Sequence, residues 1–437
     1  MRLPSWLATC STTTSTTAIL FSVEQTTSPK HLVSDTSSSS DTPDSAFSSS
    51  TTSDASNVSL QSNLSLQTLP SVPSLQKLTP ETLNGSISFL CSNSLHPRPK
   101  LPITCLAIHG NLLYSASSHE INVYDRTSCT LLHAFNDDDS SSGSVKSISF
   151  CEGKIFTAHQ DCKIRVWKLT PTKEHKLVTV LPTVNDRLRR LFFPKNYVKV
   201  RRRKKLLWIE HADAVTGLAV NNGLIYSVSW DRYLKIWRAS DLRCLESIKS
   251  HEDAINAVAV SADGTVYTGS ADCKIRVWGK PLNEKRHVLI ATLEKHKSAV
   301  NALALSDDGS LLFSGACDRS ILVWEREDSA NHMAVTGALR GHGKAILSLI
   351  NVSDLLLSGS ADRTVRIWQQ GHDGKYSCLT VLEGHHKPVK SLAAAWEGGS
   401  NGVVSVYSGS LDGEIKAWQV SVSRPCSPVS PYQVIKN

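Results

Sequence analysis

Six short segments of this sequence repeat one interval, an Asp that stands six positions before a Trp. The two best preserved segments, GSADCKIRVW at 269–278 and GSADRTVRIW at 359–368, share most of their letters. A chain with several copies of one short unit folds as a repeat architecture, in which neighbouring copies stack and bury a common core. The six pairs are Asp161/Trp167, Asp231/Trp237, Asp272/Trp278, Asp318/Trp324, Asp362/Trp368 and Asp412/Trp418.

Each unit has the periodicity of β-strands. Alternating runs such as AINAVAV at 254–260 and AVNALAL at 299–305 precede the Asp, and the Trp ends a further apolar run. From the third unit onward, successive Trp residues lie 41 to 50 positions apart, which leaves room for four short strands but not for a long helix. A His precedes five of the runs, 20 to 27 positions before its Asp: His211, His251, His296, His342 and His385.

These residue types predict a buried polar chain inside each unit. An Asp in a tight turn can accept hydrogen bonds from its own loop and from the His of the preceding loop. The His can then meet a strand Ser or Thr, whose hydroxyl reaches the Trp indole N–H. An unpaired member would cost about 1–3 kcal/mol, so the residues should occur together. Because one active site does not need five copies, we interpret the pattern as a structural brace.

The repeated segments resemble the WD40 repeat family, and the Gly-His pairs at 341–342 and 384–385 add to the resemblance. The resemblance implies an all-β fold, a β-propeller of four-stranded blades. A weaker unit, YSASSHEINVY at 114–124, lacks the Asp and has Tyr124 in place of the Trp. With this unit included, we expect seven blades. None of the six Trp residues is followed by the Asp that gives the family its name, which is the most variable part of the motif.

We expect three regions along the chain: a disordered tail over 1–84, the propeller over 85–420 and a flexible tail over 421–437. The first 80 residues hold 35 Ser or Thr. So polar a segment offers too little apolar surface for burial to offset the entropy of ordering it. A propeller must close, because open strand edges invite aggregation. In the WD40 family an N-terminal strand completes the last blade, and SISFLC at 86–91 is the candidate.

Composition narrows the functional classes. The eleven cysteines form no C-x-x-C pair, so we expect reduced thiols, no metal site and no cofactor. No apolar run approaches the roughly 18–20 residues of a membrane span. The sequence also contains no Gly-rich phosphate-binding loop, no kinase catalytic motif and no G-x-S-x-G nucleophile elbow. We therefore expect a monomeric propeller that is not an enzyme, has no transmembrane segment and resides in the cytoplasm, the nucleus or both.

A basic insertion, which we place at 172–205, separates the second and third blades. Residues 168–210 hold thirteen Lys or Arg and three Asp or Glu. A solvated loop, an import signal and a polyanion site all fit such a run, and the choice stays open. The apolar residues Leu188, Leu191, Phe192 and Phe193 predict docking on another surface, with the propeller's own flank preferred and a partner as the alternative. The basic patch comprises Arg187, Arg189, Arg190, Arg201, Arg202, Arg203, Lys204 and Lys205.

The order of segments around the insertion supplies a closer resemblance. A HQDCKIRVW blade is followed by PKNYVKVRRRKKLLWIEH and then DAV, which resembles the plant WD-repeat family called JINGUBANG. That resemblance implies an adaptor in plant regulatory signalling. We expect LLWI at 206–209 to form the outer strand of the second blade.

The loops that carry His and Asp should meet at one end of a propeller, where partners usually bind. Acidic residues follow the His in blades three and four, whereas basic residues follow it in blades five to seven, so the two sectors should face oppositely charged parts of a partner. Trp230, just before the third-blade Asp, is either an interface anchor or partly buried against a neighbouring loop. The five charged residues are Asp213, Asp253, Lys297, Lys344 and Lys387.

The leading interpretation is therefore a non-catalytic scaffold or adaptor that binds other proteins. A substrate receptor of a ubiquitin ligase is an alternative, although such receptors often carry Trp-Asp-x-Arg and none of the six Trp residues begins that string. A second alternative is a polyanion or membrane-surface binder that works through the basic insertion. We do not expect nucleic acid as a partner, because no aromatic stacking platform accompanies the charge.

Overall fold

The computed structural model describes residues 87–422, except 99, 172–173, 202–203, 282–283, 328–331, 372–373 and 398–401. The predicted N-terminal tail 1–84 lies outside the described residues, as does 423–437. Residues 421 and 422, which we expected in the C-terminal tail, belong to the last strand. Within the described residues, seven four-stranded sheets, one two-stranded hairpin and one eight-residue helix are present. The predicted all-β, seven-bladed propeller is confirmed.

Strand β1 (Ile87–Leu95) comes first, and blades 1 to 3 follow in chain order, each with four consecutive strands. Blade 1 contains β2 (Ile103–His109), β3 (Leu112–Ser117), β4 (Glu120–Asp125) and β5 (Leu131–Phe135). Blade 2 contains β6 (Val145–Cys151), β7 (Lys154–His159), β8 (Ile164–Leu169) and β9 (His175–Leu181). After an insertion with β10 (Tyr197–Arg201) and β11 (Lys204–Leu207), blade 3 contains β12 (Val215–Asn221), β13 (Leu224–Ser229), β14 (Tyr233–Arg238) and β15 (Cys244–Lys249).

Blades 4 to 7 repeat the same order. Blade 4 contains β16 (Ile255–Val260), β17 (Val266–Ser270), β18 (Ile275–Gly279) and β19 (Val288–Leu293). Blade 5 contains β20 (Val300–Leu305), β21 (Leu311–Ala316), β22 (Ile321–Glu327) and β23 (His332–Leu339). Blade 6 contains β24 (Ile346–Val352), β25 (Leu355–Ser360), β26 (Val365–Gln370) and β27 (Tyr376–Leu382), and blade 7 contains β28 (Val389–Trp396), β29 (Val403–Ser410) and β30 (Ile415–Val422).

The first strand of the propeller completes its last blade. β1 pairs antiparallel with β30, from Ile87 opposite Val422 to Leu95 opposite Ile415. The order in blade 7 is β1, β30, β29, β28, so β1 is its outer strand. Closure by the segment around 86–91 is therefore confirmed, and the strand runs on to Leu95.

The hydrophobic core consists of the interfaces between successive blades. The innermost strands pack side by side around the ring, and β28 of blade 7 contacts β2 of blade 1. Since each blade is covered on both faces, the second strand is buried along its whole length, as in β25. One cluster joins Leu355 of blade 6 to Val389 and Trp418 of blade 7. This double covering explains why β25 begins with the apolar run Leu355-Leu356-Leu357 instead of alternating polar and apolar residues.

A glycine stands in the second strand of blades 4 to 7 where the next blade comes closest. An ideal Cβ on Gly269 would lie 2.8 Å from Cγ1 of Val300, and one on Gly409 would lie 2.6 Å from Cγ2 of Ile103. These glycines therefore serve close packing between blades. The other two are Gly315 and Gly359.

We expect Gly269→Val to lower the free energy of unfolding by about 1–3 kcal/mol, because the added side chain overpacks the blade 4–blade 5 interface. Gly337→Val is the matched control, since a Cβ on Gly337 in outer strand β23 has its nearest neighbour at 3.9 Å. Urea denaturation of both purified variants would measure the difference. Equal stability of the two variants would contradict the packing role of Gly269.

The insertion between blades 2 and 3 folds as a small element of its own. Helix α1 (Val184–Leu191) leads through a 3-10 turn to the hairpin of β10 and β11. The expected placement of LLWI was wrong: residues 206–207 belong to this hairpin, and β9 is the outer strand of blade 2. The insertion therefore starts after Leu181, not at 172. β9 takes the edge because it follows β8 through a short turn, which costs less loop-closure entropy than a distant segment.

The insertion is fixed to the outer side of blade 3. Oδ2 of Asp186 in α1 accepts the backbone N–H of Cys244 in β15 at 3.3 Å. Nζ of Lys235 donates to the carbonyl of Trp208 at 2.5 Å, and Ile209 is fully buried in the core between blades 2 and 3. The element is thus anchored at both of its ends.

Candidate functional site

Blades 3 to 6 each contain an unbroken hydrogen-bonded chain from a turn Asp to a strand Trp, which we call the brace. In blade 3, Nε1 of Trp237 donates to Oγ of Ser227 at 2.9 Å, and that oxygen lies 2.9 Å from Nε2 of His211. Nδ1 of His211 lies 2.8 Å from Oδ2 of Asp231. The same positions in blades 4 to 6 are His251, Thr268, Asp272 and Trp278; His296, Ser314, Asp318 and Trp324; and His342, Ser358, Asp362 and Trp368.

The brace of blade 3 suits a neutral imidazole. With the ring proton on Nδ1, Nδ1–H donates to the carboxylate and Nε2 can accept the hydroxyl proton. Burial lowers the pKa of His211, which keeps this ring neutral. Burial alone would raise the pKa of Asp231, but its interactions with His211 and the N–H of Ala212 outweigh burial and hold the pKa at about 2. Hydrogen bonds likewise lower the pKa of Asp272, Asp318, Asp362 and Asp412 against the opposing effect of burial.

The same Asp shapes its own turn. Oδ1 of Asp231 accepts the N–H of Tyr233 at 2.9 Å, and Oδ2 accepts the N–H of Ala212 at 2.8 Å. Arg232, which lies between Asp231 and Tyr233 in the sequence, has a φ of 75°, in the left-handed region. One carboxylate thus joins the turn after the second strand to the loop before the first strand. We call the end of the propeller formed by these turns and His loops the Asp-turn face.

Blade 2 carries a variant of the brace. Nε1 of Trp167 donates to Thr157 at 2.9 Å, and Thr157 lies 2.7 Å from Nε2 of His159, which belongs to the same strand. Asp161 pairs instead with Arg165, whose Nη2 is 3.0 Å away. Burial lowers the pKa of His159 to about 3, so this ring is neutral as well.

Blade 1 has no brace. Ser117 pairs directly with Glu120, so the turn is the two-residue loop Ser118-His119 and has no Asp. Tyr124 is buried at the place of the Trp, opposite Leu113. The weaker sequence repeat thus marks a blade with a shorter turn.

Blade 7 lacks one bond of the predicted brace. Ser408 contacts both Trp418 and Nε2 of His385, at 2.9 and 2.8 Å, but Nδ1 of His385 lies 3.5 Å from Asp412 and makes no hydrogen bond. The expected His385–Asp412 bond is therefore wrong. Glu414, 3.8 Å from the same nitrogen, shares the space.

His385, Asp412 and Glu414 are the set that the described residues offer as metal ligands, with donor atoms within 4.8 Å of one another. The Glu414 carboxylate already holds the ammonium of Lys416 at 2.6 Å, and Oδ2 of Asp412 accepts the N–H of His386 at 2.9 Å. These contacts engage one oxygen of each carboxylate, and we assign no metal to this cluster.

In four blades the second residue of the inner strand links neighbouring blades. In blades 1, 3, 4 and 5 this residue donates to the carbonyl of the first inner-strand residue in the next blade, at 2.6 to 3.0 Å. The residue stands at a β-bulge in every inner strand, and bulges redirect side chains. The four donors are Thr104, Thr216, Asn256 and Asn301.

Two lysines interrupt this series of inter-blade bonds. Lys146 and Lys390, both half-buried, occupy the bulge position in blades 2 and 7. Burial lowers the pKa of both, and the charge of Lys390 helps to bring the pKa of Lys146 to about 8. The sequence reading missed this pair, although the repeated string Val-Lys-Ser at 145–147 and 389–391 was a usable signal.

Trp230 lies beside this lysine pair. Its ring centroid is 5.9 Å from Nζ of Lys146, and its backbone N–H donates to the Ala214 carbonyl at 3.1 Å. The side chain is half-buried, which agrees with packing against a neighbouring blade. An aromatic edge therefore remains accessible on the Asp-turn face.

The charged loop residues singled out from the sequence are all exposed, and within the described part of the chain they form no ion pair. Arg319 and Arg363, also exposed, follow the Asp of blades 5 and 6 and strengthen the basic sector. Arg232 stands among the acidic loops and donates to the Glu252 carbonyl at 3.3 Å. The basic sector is therefore the more pronounced. The five loop residues are Asp213, Asp253, Lys297, Lys344 and Lys387.

Some residues of the basic patch are engaged in contacts within the insertion, and others are exposed. Arg187 pairs with Glu210 at 3.1 Å, and Arg190 pairs with Asp186 and stacks over the Trp208 ring. Arg189 and Lys205 are exposed. Arg202 and Arg203 lie outside the described residues, as do the side chains of Arg201 and Lys204.

The expectation that the apolar side chains of the insertion dock on the propeller was wrong. Leu188, Leu191, Phe192 and Phe193 are 51, 46, 79 and 52% exposed. The reason is that α1 turns its polar side toward blade 3, where Asp186 bonds to β15. In the part of the chain that the structure describes, no helix is long and apolar enough to span a membrane.

Comparison with known proteins agrees with this geometry. The family model described as "WD domain, G-beta repeat" matches residues 204–238, 242–279, 287–325, 334–369 and 376–419. These five segments coincide with blades 3 to 7, the blades in which the sequence places a His before each Asp. Blades 1 and 2, which depart from the brace, are not among the matched segments.

Individual relatives are similar over short segments. An uncharacterized WD repeat-containing protein of Schizosaccharomyces pombe is 35% identical over 16% of this chain and 14% of its own length. BEACH domain-containing protein B of Arabidopsis thaliana is 33% identical over 15% of this chain and 2% of its length, and Cross-pathway control WD-repeat protein 2 of Flammulina velutipes is 36% identical over 16% and 22%. The chain thus spans less than a quarter of each relative. The matched repeats and the seven closed sheets together show that this chain carries WD40 repeats folded into a seven-bladed β-propeller.

Proposed function

We propose that the protein is a non-catalytic interaction platform whose Asp-turn face binds an acidic segment of another protein. The observation that supports this most is a set of exposed charges, segregated by sign around one end of the ring, that form no ion pairs with other described residues. Lys297, Lys344 and Lys387 form the basic sector, with two half-buried lysines at the inner edge beside Trp230. Such a surface orients a partner by charge complementarity.

The His and Asp residues serve the scaffold and not catalysis. The side chains of His211 and His251 are 1 and 0% exposed, so a substrate could not reach the imidazole. A catalytic base must come within hydrogen-bond reach of the proton that it removes. In blades 3 to 6 both ring nitrogens of the His are already hydrogen-bonded within the brace.

The finer role that we propose is an adaptor in plant regulatory signalling, monomeric and present in the cytoplasm, the nucleus or both. The support is the resemblance of the second blade and its insertion to the JINGUBANG family. The basic run at 201–205 suits an import signal.

Charge reversal on the basic sector tests the function. We expect the variant Lys344→Glu/Lys387→Glu to bind its purified partner, first isolated from native tissue with the full chain, about tenfold or more weakly than wild type. The dissociation constant would be measured by titration at several salt concentrations, and wild-type affinity should fall as salt rises.

The matched control is Lys168→Glu/Lys280→Glu, which changes the net charge equally. Both lysines are exposed and lie away from the Asp turns, Lys168 near the end of β8 and Lys280 just after β18. This control should retain wild-type affinity. Equal affinities of the two variants, without dependence on salt, would overturn the assignment of the face.

A further inference from the structure

The outer side of blade 2 and the insertion carry most of the exposed apolar surface. Ten of the nineteen exposed large hydrophobic residues in the described part of the chain lie between 169 and 200. Monomeric soluble proteins rarely expose contiguous apolar patches without a binding role. We define the apolar patch as Leu177, Val178, Val184, Leu188, Phe192 and Phe193, which are 43 to 79% exposed.

Helix α1 is amphipathic, but its apolar side faces outward and its polar side faces the propeller. Val184, Leu188 and Phe192 follow one another at helical spacing and face outward. Asp186, 2% exposed, and Arg190 face blade 3, where Asp186 accepts the N–H of Cys244. A surface helix ordinarily buries its apolar stripe and exposes its polar one. The reversal leaves the apolar stripe free for a second surface.

The element holds these side chains outward rigidly. Thr183 Oγ1 caps α1 by accepting the N–H of Asp186 at 3.2 Å. Nδ2 of Asn196 donates to the Arg190 carbonyl at 3.0 Å, and the Tyr197 hydroxyl donates to the Leu191 carbonyl at 3.0 Å. Little conformational entropy remains to be lost when the patch is covered.

The charge around the patch is strongly positive. Residues 182–211 hold ten Lys or Arg and two acidic residues. Both acids are engaged, Asp186 by Arg190 and Glu210 by Arg187. Lys195 and Lys199 are exposed, and Nζ of Lys195 lies 5.9 Å from the Phe193 ring centroid. The apolar tip is therefore framed by cations.

We propose that this element docks the propeller, outer side first, on a lipid bilayer that contains anionic lipids. Basic residues attract the anionic surface while exposed aromatic and aliphatic side chains enter the interface. A protruding Phe192, 79% exposed, would need a matching pocket on a protein partner, whereas acyl chains adapt to any shape. Nucleic acid has no comparable apolar surface that could bury the aliphatic side chains of Val184 and Leu188. The docking does not depend on the Asp-turn face.

Co-sedimentation of the full chain with vesicles tests the proposal. We expect binding to phosphatidylcholine vesicles with about 30 mol % phosphatidylserine, and about tenfold weaker binding to phosphatidylcholine alone. Phe192→Ala/Phe193→Ala and Lys195→Glu/Lys199→Glu should each weaken binding to the mixed vesicles about tenfold or more. Unchanged thermal midpoints would show that both variants fold.

Two matched variants serve as controls. Phe89→Ala/Leu90→Ala removes apolar side chains that are 46 and 65% exposed on β1, and Lys280→Glu/Lys285→Glu reverses two exposed charges between β18 and β19 of blade 4. Both should bind vesicles like wild type. No vesicle binding by wild type would overturn the proposal. So would binding that is indifferent to the Phe pair, which would indicate a polyanion or an acidic protein as the ligand. Partner affinity at the Asp-turn face should stay unchanged in all four variants.

Discussion

A chain that begins at residue 96 should melt about 5–10 °C below the full-length protein or fail to fold, whereas one that begins at residue 85 should melt with it. The difference between the two truncations is strand β1. In the chain from 85, β1 can still complete blade 7, because the strand starts at Ile87.

The expected loss comes from the ladder and from ring closure. β1 pairs with β30 at eight positions from Ile87 to Leu95, and each hydrogen bond contributes about 0.5–1.5 kcal/mol. Most β1 side chains are exposed, so apolar burial is the smaller contribution. Without β1 nothing in the chain joins blade 7 to blade 1 covalently, and the bare edge of β30 invites aggregation.

Calorimetry and size-exclusion chromatography of both truncations would measure this effect. Phe89→Ala/Leu90→Ala in the full chain is the control, because it keeps the strand and removes only exposed side chains. It should melt like wild type. Identical midpoints for the chains from 85 and from 96 would contradict the role of β1 in closure.

Asp231→Ala should lower the free energy of unfolding by about 3–5 kcal/mol, because it leaves three N–H donors without their acceptor, at about 1–3 kcal/mol for each buried donor. The Asp231 carboxylate is 6% exposed and bonds to His211, Ala212 and Tyr233. Its removal leaves Nδ1–H of His211 buried without an acceptor. Because the pKa of Asp231 is about 2 in the folded protein and 3.8 otherwise, its contribution is present above about pH 4 and is lost as the pH falls toward 2.

A graded series would separate the brace from a general effect of charge. Asp231→Asn keeps one acceptor and should lose less stability than the Ala variant. Asp241→Ala removes an Asp of the same blade that is 32% exposed and pairs with Arg238 at 3.2 Å, and surface pairs of this kind contribute about 0–1 kcal/mol. Chemical denaturation at neutral pH would rank the three. A loss for Asp241→Ala as large as that for Asp231→Ala would contradict the brace.

Several features of the fold and of the site could be read from the sequence because they are local and repeated. The interval from Asp to Trp places the two residues on a turn and on the following strand, and the preceding His is within reach in any copy. Copies in blades 3 to 6 therefore behave as expected. Blade 7 does not, because its neighbour Glu414 competes for the space beside His385, and spacing alone does not describe that competition.

The sequence by itself determined the number of repeated units and the members of the brace in blades 3 to 6, since these follow from patterning and hydrogen-bond capacity along short stretches. The closing strand was expected from the resemblance to the WD40 family. Only the tertiary structure decided that β9 is the outer strand of blade 2, that Lys146 and Lys390 share the inner edge, and that α1 turns its apolar side outward. Those outcomes depend on which residues of distant blades come together. Such contacts are determined by packing between sheets, and the sequence of a single blade does not specify that packing.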